Sequence, residues 1–195
     1  MRLPGIEVRP LREITGDALF NEVFFESLFV PDDCVVGEVN GGWKLARTTL
    51  ANERVSLSSD STFTGGTAKL LAALAGDGKV HDPVLMDRLG SLLAEAHSLS
   101  LLGQRSTLRS VSGVEPGPEA SVRKLLGAEH EQRAQELGVE LLGPEGATTD
   151  GTAAAWAREF LHTRCLTIAG GTSEVQRNVI GERILGLPRD PEPIA

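Results

Sequence analysis

Thiols are scarce in this 195-residue chain. Cys34 and Cys165 stand far apart, with no Cys-x-x-Cys or Cys/His spacing, so neither a disulfide framework nor a metal site is suggested, and a reducing cytoplasm is the simplest compartment. No apolar run approaches the ~20 residues a membrane helix needs, and the charged opening Met1-Arg-Leu-Pro-Gly-Ile-Glu7 is not a signal peptide. Clusters of lysine or arginine are missing too, while the formal net charge is −8. Nucleic acid and anionic membranes are thereby disfavoured as main partners, and any acidic ligand has to be held locally. Internal repeats are absent, and low complexity is limited to the Pro-rich tail 187–195. No Ser/His/Asp order or Walker loop is present.

What is there divides in two. Residues 1–37 carry strand signals: Ile6-Glu-Val-Arg9 alternates, Glu22-Val-Phe-Phe-Glu26 and Leu28-Phe-Val30 are aromatic and β-branched, and Pro4, Pro10, Gly16 and Pro31 punctuate them. So few strands are marginal alone and predict exposed edges. Residues 38–195 read as helices. From Gly42 the pattern predicts one long helix, weakened between Ser56 and Gly66 and ended by Asp77-Gly78. Asp82-Pro83 opens the next, with Leu85, Leu89, Leu92, Leu93, Ala96 and Leu99 at the helical period. A turn at 113–118 precedes a third, whose inner face is read as Val122, Leu125, Leu126, Leu137 and Leu141. Two shorter helices, 152–163 and 172–185, complete an antiparallel bundle.

The most informative run is Ile168-Ala-Gly-Gly-Thr-Ser-Glu-Val-Gln-Arg177. Gly170 and Gly171 permit close backbone approach, Thr172 can cap the helix, and the N–H groups of its first turn suit an anion. Ordinary capping accounts for such a turn equally well. Together with Phe20-Asn-Glu-Val-Phe-Phe-Glu26, Gly41-Gly-Trp-Lys44 and Leu50-Ala-Asn-Glu-Arg54, however, it closely resembles the acyl-CoA dehydrogenase family. The resemblance implies the end of that family's central β-domain (1–37) followed by its C-terminal helical bundle (38–195), about half of a family member. The expected activity is FAD-dependent α,β-desaturation of an acyl-CoA, with electrons passing to an electron-transfer flavoprotein and with homo- or hetero-oligomers as the assembly.

Further roles follow from the resemblance alone. Much of the family places its catalytic glutamate where Gly170 stands here; the long-chain and isovaleryl branches place it before an arginine on the first bundle helix, which matches Glu53. A solvated Glu-Arg pair is the plain alternative. Asn52, Arg54 and Gly171 fall at substrate-contacting positions, and Thr172 and Glu174 where the flavin's diphosphate-ribose region is met, although a helix N-terminal acid such as Glu174 commonly just meets the dipole. Glu140 and Gly143 match a segment reaching a neighbouring subunit's flavin, with Glu140 in place of the usual glutamine and Pro144 in place of a second glycine. The family's Arg-x-x-Phe-Gly segment is replaced by Gly78-Lys-Val-His-Asp-Pro83, leaving Lys79 as a substitute cation without the bidentate fork. His81, His97 and His130 read as exposed helix or turn residues, and His162 precedes the turn. Two other functions remain: a non-catalytic partner subunit or fragment serving as an oligomerisation scaffold, and a same-fold flavin monooxygenase or oxidase.

Overall fold

Strand signals near the N-terminus form one hairpin. The computed structural model describes residues 3–57, 60–77, 82–114, 117–151 and 153–189, with side chains except at 51–57, 60–64 and 74–77. In it, β1 (Ile6–Leu11) pairs antiparallel with β2 (Phe20–Phe25), Val8 opposite Val23. Pro10 lies inside β1 and does not end it, since in a two-stranded sheet every strand is an edge. Leu28–Val30 is not a strand. Ser27 adopts φ +50 directly after β2 and takes the chain off the ladder. Phe20, Phe25 and Phe29 are all more than half exposed, as expected of a hairpin that cannot bury its own faces.

Residues 1–50 and 51–195 form two compact units. The expected long helix is described in two segments, α1 (Gly42–Leu57) and α2 (Asp60–Asp77), and residues 58 and 59 between them lie outside the described residues. Helix α2 passes unbroken through Gly65-Gly66. Next comes α3 (Pro83–Val111), with the signature read from sequence: Asp82 Oδ1 accepts from the Val84 N–H at 2.9 Å, and Pro83 fills the first turn. Leu85, Leu89, Leu92 and Leu99 are buried, and Leu93 lies at the edge of the stripe.

The central element is α4 (Glu119–Leu141), packed against α2, α3, α5 (Ala153–Thr163) and α6 (Ser173–Arg183). Its inner face is only partly the leucine face anticipated: Leu137 is buried and Leu141 packs against the core, while Leu126 is exposed. Ser121, Lys124, Ala128, Glu131, Gln135 and Gly138 are also buried, at alternating spacings of three and four. A helix surrounded on several sides has no single apolar stripe, so the periodicity of leucines marks only part of its buried surface. The apolar core is Leu70 of α2, Leu85, Leu89 and Leu92 of α3, and Ala134 and Leu137 of α4, with Leu141 and Trp156 against it.

Gly138 makes room for the Trp156 ring, which occupies the space a Cβ would take. Gly138→Ala is therefore expected to destabilise despite the ~1 kcal/mol helix-propensity gain, because forcing the ring aside costs about 1–3 kcal/mol or more. A thermal unfolding midpoint equal to or above wild type would refute this packing.

Candidate functional site

Two polar constructions are built on α4. One is closed. His130, fully buried and not the surface residue expected, sets Nε2 2.8 Å from the Thr67 hydroxyl of α2 and Nδ1 3.0 Å from Glu95 Oε2 of α3. Arg133 donates to the same Glu95 oxygen at 2.7 Å. Burial pushes the Glu95 carboxyl up, but the hydrogen bonds from Arg133 and His130 outweigh it and hold it below the ordinary range. Next to His130 on α4, Glu131 accepts from the Gly66 N–H at 3.2 Å and from the Gln135 amide at 2.7 Å. A Thr-His-Glu chain resembles a nucleophilic relay, yet Thr67 is only 2% exposed, and no substrate reaches it. Its role is structural.

The other construction is open. After α5, a 3-10 turn (Arg164–Thr167) leads into Ile168–Thr172 and then α6. Helix α4 holds this segment at two points about 12 Å apart along its axis. Gln132 Nε2 donates to the Thr163 carbonyl at 2.9 Å, and Lys124 Nζ donates to the Gly171 carbonyl at 2.7 Å. From α6, Gln176 Nε2 donates to the carbonyls of Gly170 (2.9 Å) and Gly171 (3.2 Å). Both glycines have positive φ, +66 and +100, a region where other residues are strained.

A consequence follows from peptide planarity. In a trans peptide the C=O and the next N–H point in opposite directions, and no cis bond is present among the described residues. With the carbonyls of Gly170 and Gly171 drawn toward buried Gln176 and Lys124, the N–H groups of Gly171 and Thr172 point away from them. Two successive amides presented on one side at a helix N-terminus make an anion-accepting concavity. Thr172 caps α6, its Oγ1 accepting from the Val175 N–H at 3.3 Å.

Further polar atoms lie at this turn. Among the described residues, Ser173 Oγ and Gln176 Oε1 are buried with no hydrogen-bond partner, though burying such atoms without one costs about 1–3 kcal/mol each. That deficit fits a polar ligand. Lys124 is 1% exposed, and burial pushes its ammonium below the ordinary lysine range, opposed by the charges of Glu129 and Glu174. Glu174 itself is held below the usual carboxylate range by its own backbone N–H and by the Thr172 hydroxyl, with Arg177 and Lys124 adding to the effect.

Of the residues singled out from sequence, Gly171, Thr172 and Glu174 thus share one turn. Glu140 is engaged elsewhere: Arg88 of α3 takes both its oxygens at 2.8 Å, and this bond holds the carboxyl below its ordinary range. Gly143 (φ +59) opens the 3-10 turn 143–147, and His162 sits in the last turn of α5. Asn52, Glu53 and Arg54 fall on α1, but their side chains, like Lys79 and His81, lie outside the described residues. Sequence reasoning missed Lys124 and Gln176. Lys124 was findable as a cation in register with Ala128 and Glu131 on one helical face.

Residues 40–185 match the family described as "Acyl-CoA dehydrogenase, C-terminal domain". Over 189 residues the chain is 49% identical to acyl-CoA dehydrogenase FadE34 of Mycobacterium tuberculosis, covering 97% of this chain and 26% of that one. The fold is similar to that of the structure described as "Tcur3481-Tcur3483 steroid ACAD", with a TM-score of 0.84 at 25% identity over 96% of this chain and 50% of the other. It is also similar to a chain of the ChsE4-ChsE5 complex from Mycobacterium tuberculosis, with a TM-score of 0.80 at 29% identity over 96% and 50%. The chain therefore spans between about a quarter and a half of the length of the proteins it matches.

Proposed function

The chain belongs to the acyl-CoA dehydrogenase family, through that family's C-terminal domain, and on this footing we propose that it forms the base-bearing wall of an acyl-CoA desaturation site. The observation that carries the reading is the pair of amides of Gly171 and Thr172, directed to one side by Lys124 and Gln176. A donor aimed at a thioester carbonyl stabilises the enolate-like charge that develops as the α-proton leaves. In this reading the Gly171 N–H holds that carbonyl, Asn52 and Arg54 help to hold the substrate, and Glu53 takes the α-proton.

FAD fits the same turn. Thr172 and Glu174 would meet its ribose-diphosphate region, the buried Ser173 and Gln176 oxygens at the same turn are unmatched, and Glu140 and Gly143 would face a neighbouring subunit's flavin. When bound, FAD supplies the hydride acceptor. An electron-transfer flavoprotein would then be the electron acceptor. The ChsE4-ChsE5 complex is an assembly of two proteins, and a homo- or hetero-oligomer is proposed here, with steroid or fatty acyl thioesters as the substrate class.

One observation favours the alternative of a non-catalytic scaffold subunit: position 170, beside the amides, carries no side chain. The two are separated by a visible absorption spectrum of the purified chain with added FAD, alongside its mass in solution. Flavin bands that survive gel filtration and bleach on adding an acyl-CoA are expected. A folded, colourless oligomer that ignores FAD would replace the enzyme reading with the scaffold.

A further inference from the structure

We propose that Lys124 supplies the positive charge on which the affinity of the Gly171-Thr172 amides for an anionic oxygen depends, a role that rests on the site reading above. The argument is one of local charge. Around the turn stand two carboxylates, Glu129 and Glu174, and one guanidinium, Arg177, which donates to Glu129 at 2.6 Å and lies 3.7 Å from Glu174. Those three sum to one negative charge, which would repel a phosphate or an enolate. Lys124 cancels it, from a buried position where solvent screens little.

Geometry does not explain the lysine. Gln176 already donates to both carbonyls, so Gly171 keeps a neutral donor without Lys124, and burying an ammonium is costly. What only Lys124 brings is charge, carried to the ligand side through the peptide itself. Its hydrogen bond polarises the Gly171 carbonyl and strengthens the Thr172 N–H as a donor on the far side of the same plane. Lys124 thus acts through the backbone; it is a positioning and field residue, not a catalytic one.

The test is a ¹⁵N–¹H titration of the chain with inorganic pyrophosphate, following the Gly171 and Thr172 amides. Wild type is expected to show saturable shifts at these two amides. Lys124→Met and Lys124→Gln are both expected to bind about tenfold more weakly or worse, since charge-assisted hydrogen bonds are worth roughly twice neutral ones. Lys124→Gln keeps an uncharged polar side chain at the position, so it also serves if Lys124→Met does not fold. Wild-type midpoints in Lys124→Gln would overturn the charge role, whatever Lys124→Met does. Wild-type amides that ignore pyrophosphate, FAD and coenzyme A alike would overturn the anion-site reading itself, and this role with it. Parallel titrations with FAD and with coenzyme A tell which diphosphate the turn accepts.

Discussion

Glu53→Gln is expected to lower turnover of the assembled, flavin-loaded protein by roughly 10²- to 10⁴-fold, the usual contribution of a general base, with the flavin spectrum unchanged. The case rests on elimination around the turn as well as on resemblance. Gly170 has no side chain. Glu174 is held below the ordinary carboxylate range by its own N–H and by Thr172, and Glu129 is engaged by Arg177 at 2.6 Å. Glu131 is buried and satisfied by Gly66 and Gln135. No carboxylate among these is free to abstract a proton, and under the proposed function the base is Glu53 on α1, where the resemblance places a glutamate before an arginine. Glutamine keeps the shape and removes the basicity. Stopped-flow bleaching of the flavin by an acyl-CoA reads the step directly, and a wild-type rate in Glu53→Gln would dismiss the assignment.

Gly171→Ala is expected to weaken binding at the turn by about tenfold or more, and to destabilise the fold by about 1–3 kcal/mol. The residue sits at φ +100, and an added Cβ would meet Gln176 Nε2 at 2.7 Å and Val175 Cγ1 at 3.5 Å. The Gln176 amide cannot retreat without releasing the two carbonyls it holds, and their release frees the peptide planes to rotate. Binding and stability should therefore fall together, whereas the Lys124 substitutions should affect binding more than stability. Isothermal titration with FAD, paired with urea unfolding, separates the two patterns. An alanine variant with wild-type affinity would show that the glycine turn does not set the amides' direction.

Much of this architecture was legible in the residues because local signals agreed with tertiary demands. Asp82-Pro83 starts α3 and Thr172 caps α6 as the side chains dictate, and the leucine stripe of α3 is its buried face. Legibility failed where a helix lost its exposed side. On α4, surrounded by four other helices, burial follows close approach and hydrogen bonding instead of hydropathy. Lys124, His130 and Gln135 are therefore interior, while Leu126 is not. Likewise Leu28–Val30, β-branched and aromatic as it is, finds no partner strand among the described residues. The glycine turn was recognisable as a motif, but the direction of its amides depends on Lys124 and Gln176, one of them 47 residues away in sequence.

The buried network of His130, Thr67 and Glu95, with Glu131 on Gly66, has a bearing on how the bundle tolerates change. A seam of leucines can slide by one helical turn, about 5.4 Å, and still bury oil against oil. Here such a slip of α2 along α4 would part the Thr67 hydroxyl from His130 and the Gly66 amide from Glu131 at once, stranding several polar groups in a dry interior. The network works as a vernier between helices: it adds little to the strength of the bundle, but it allows only one alignment, and that alignment fixes where along α4 the remaining parts of the protein are carried.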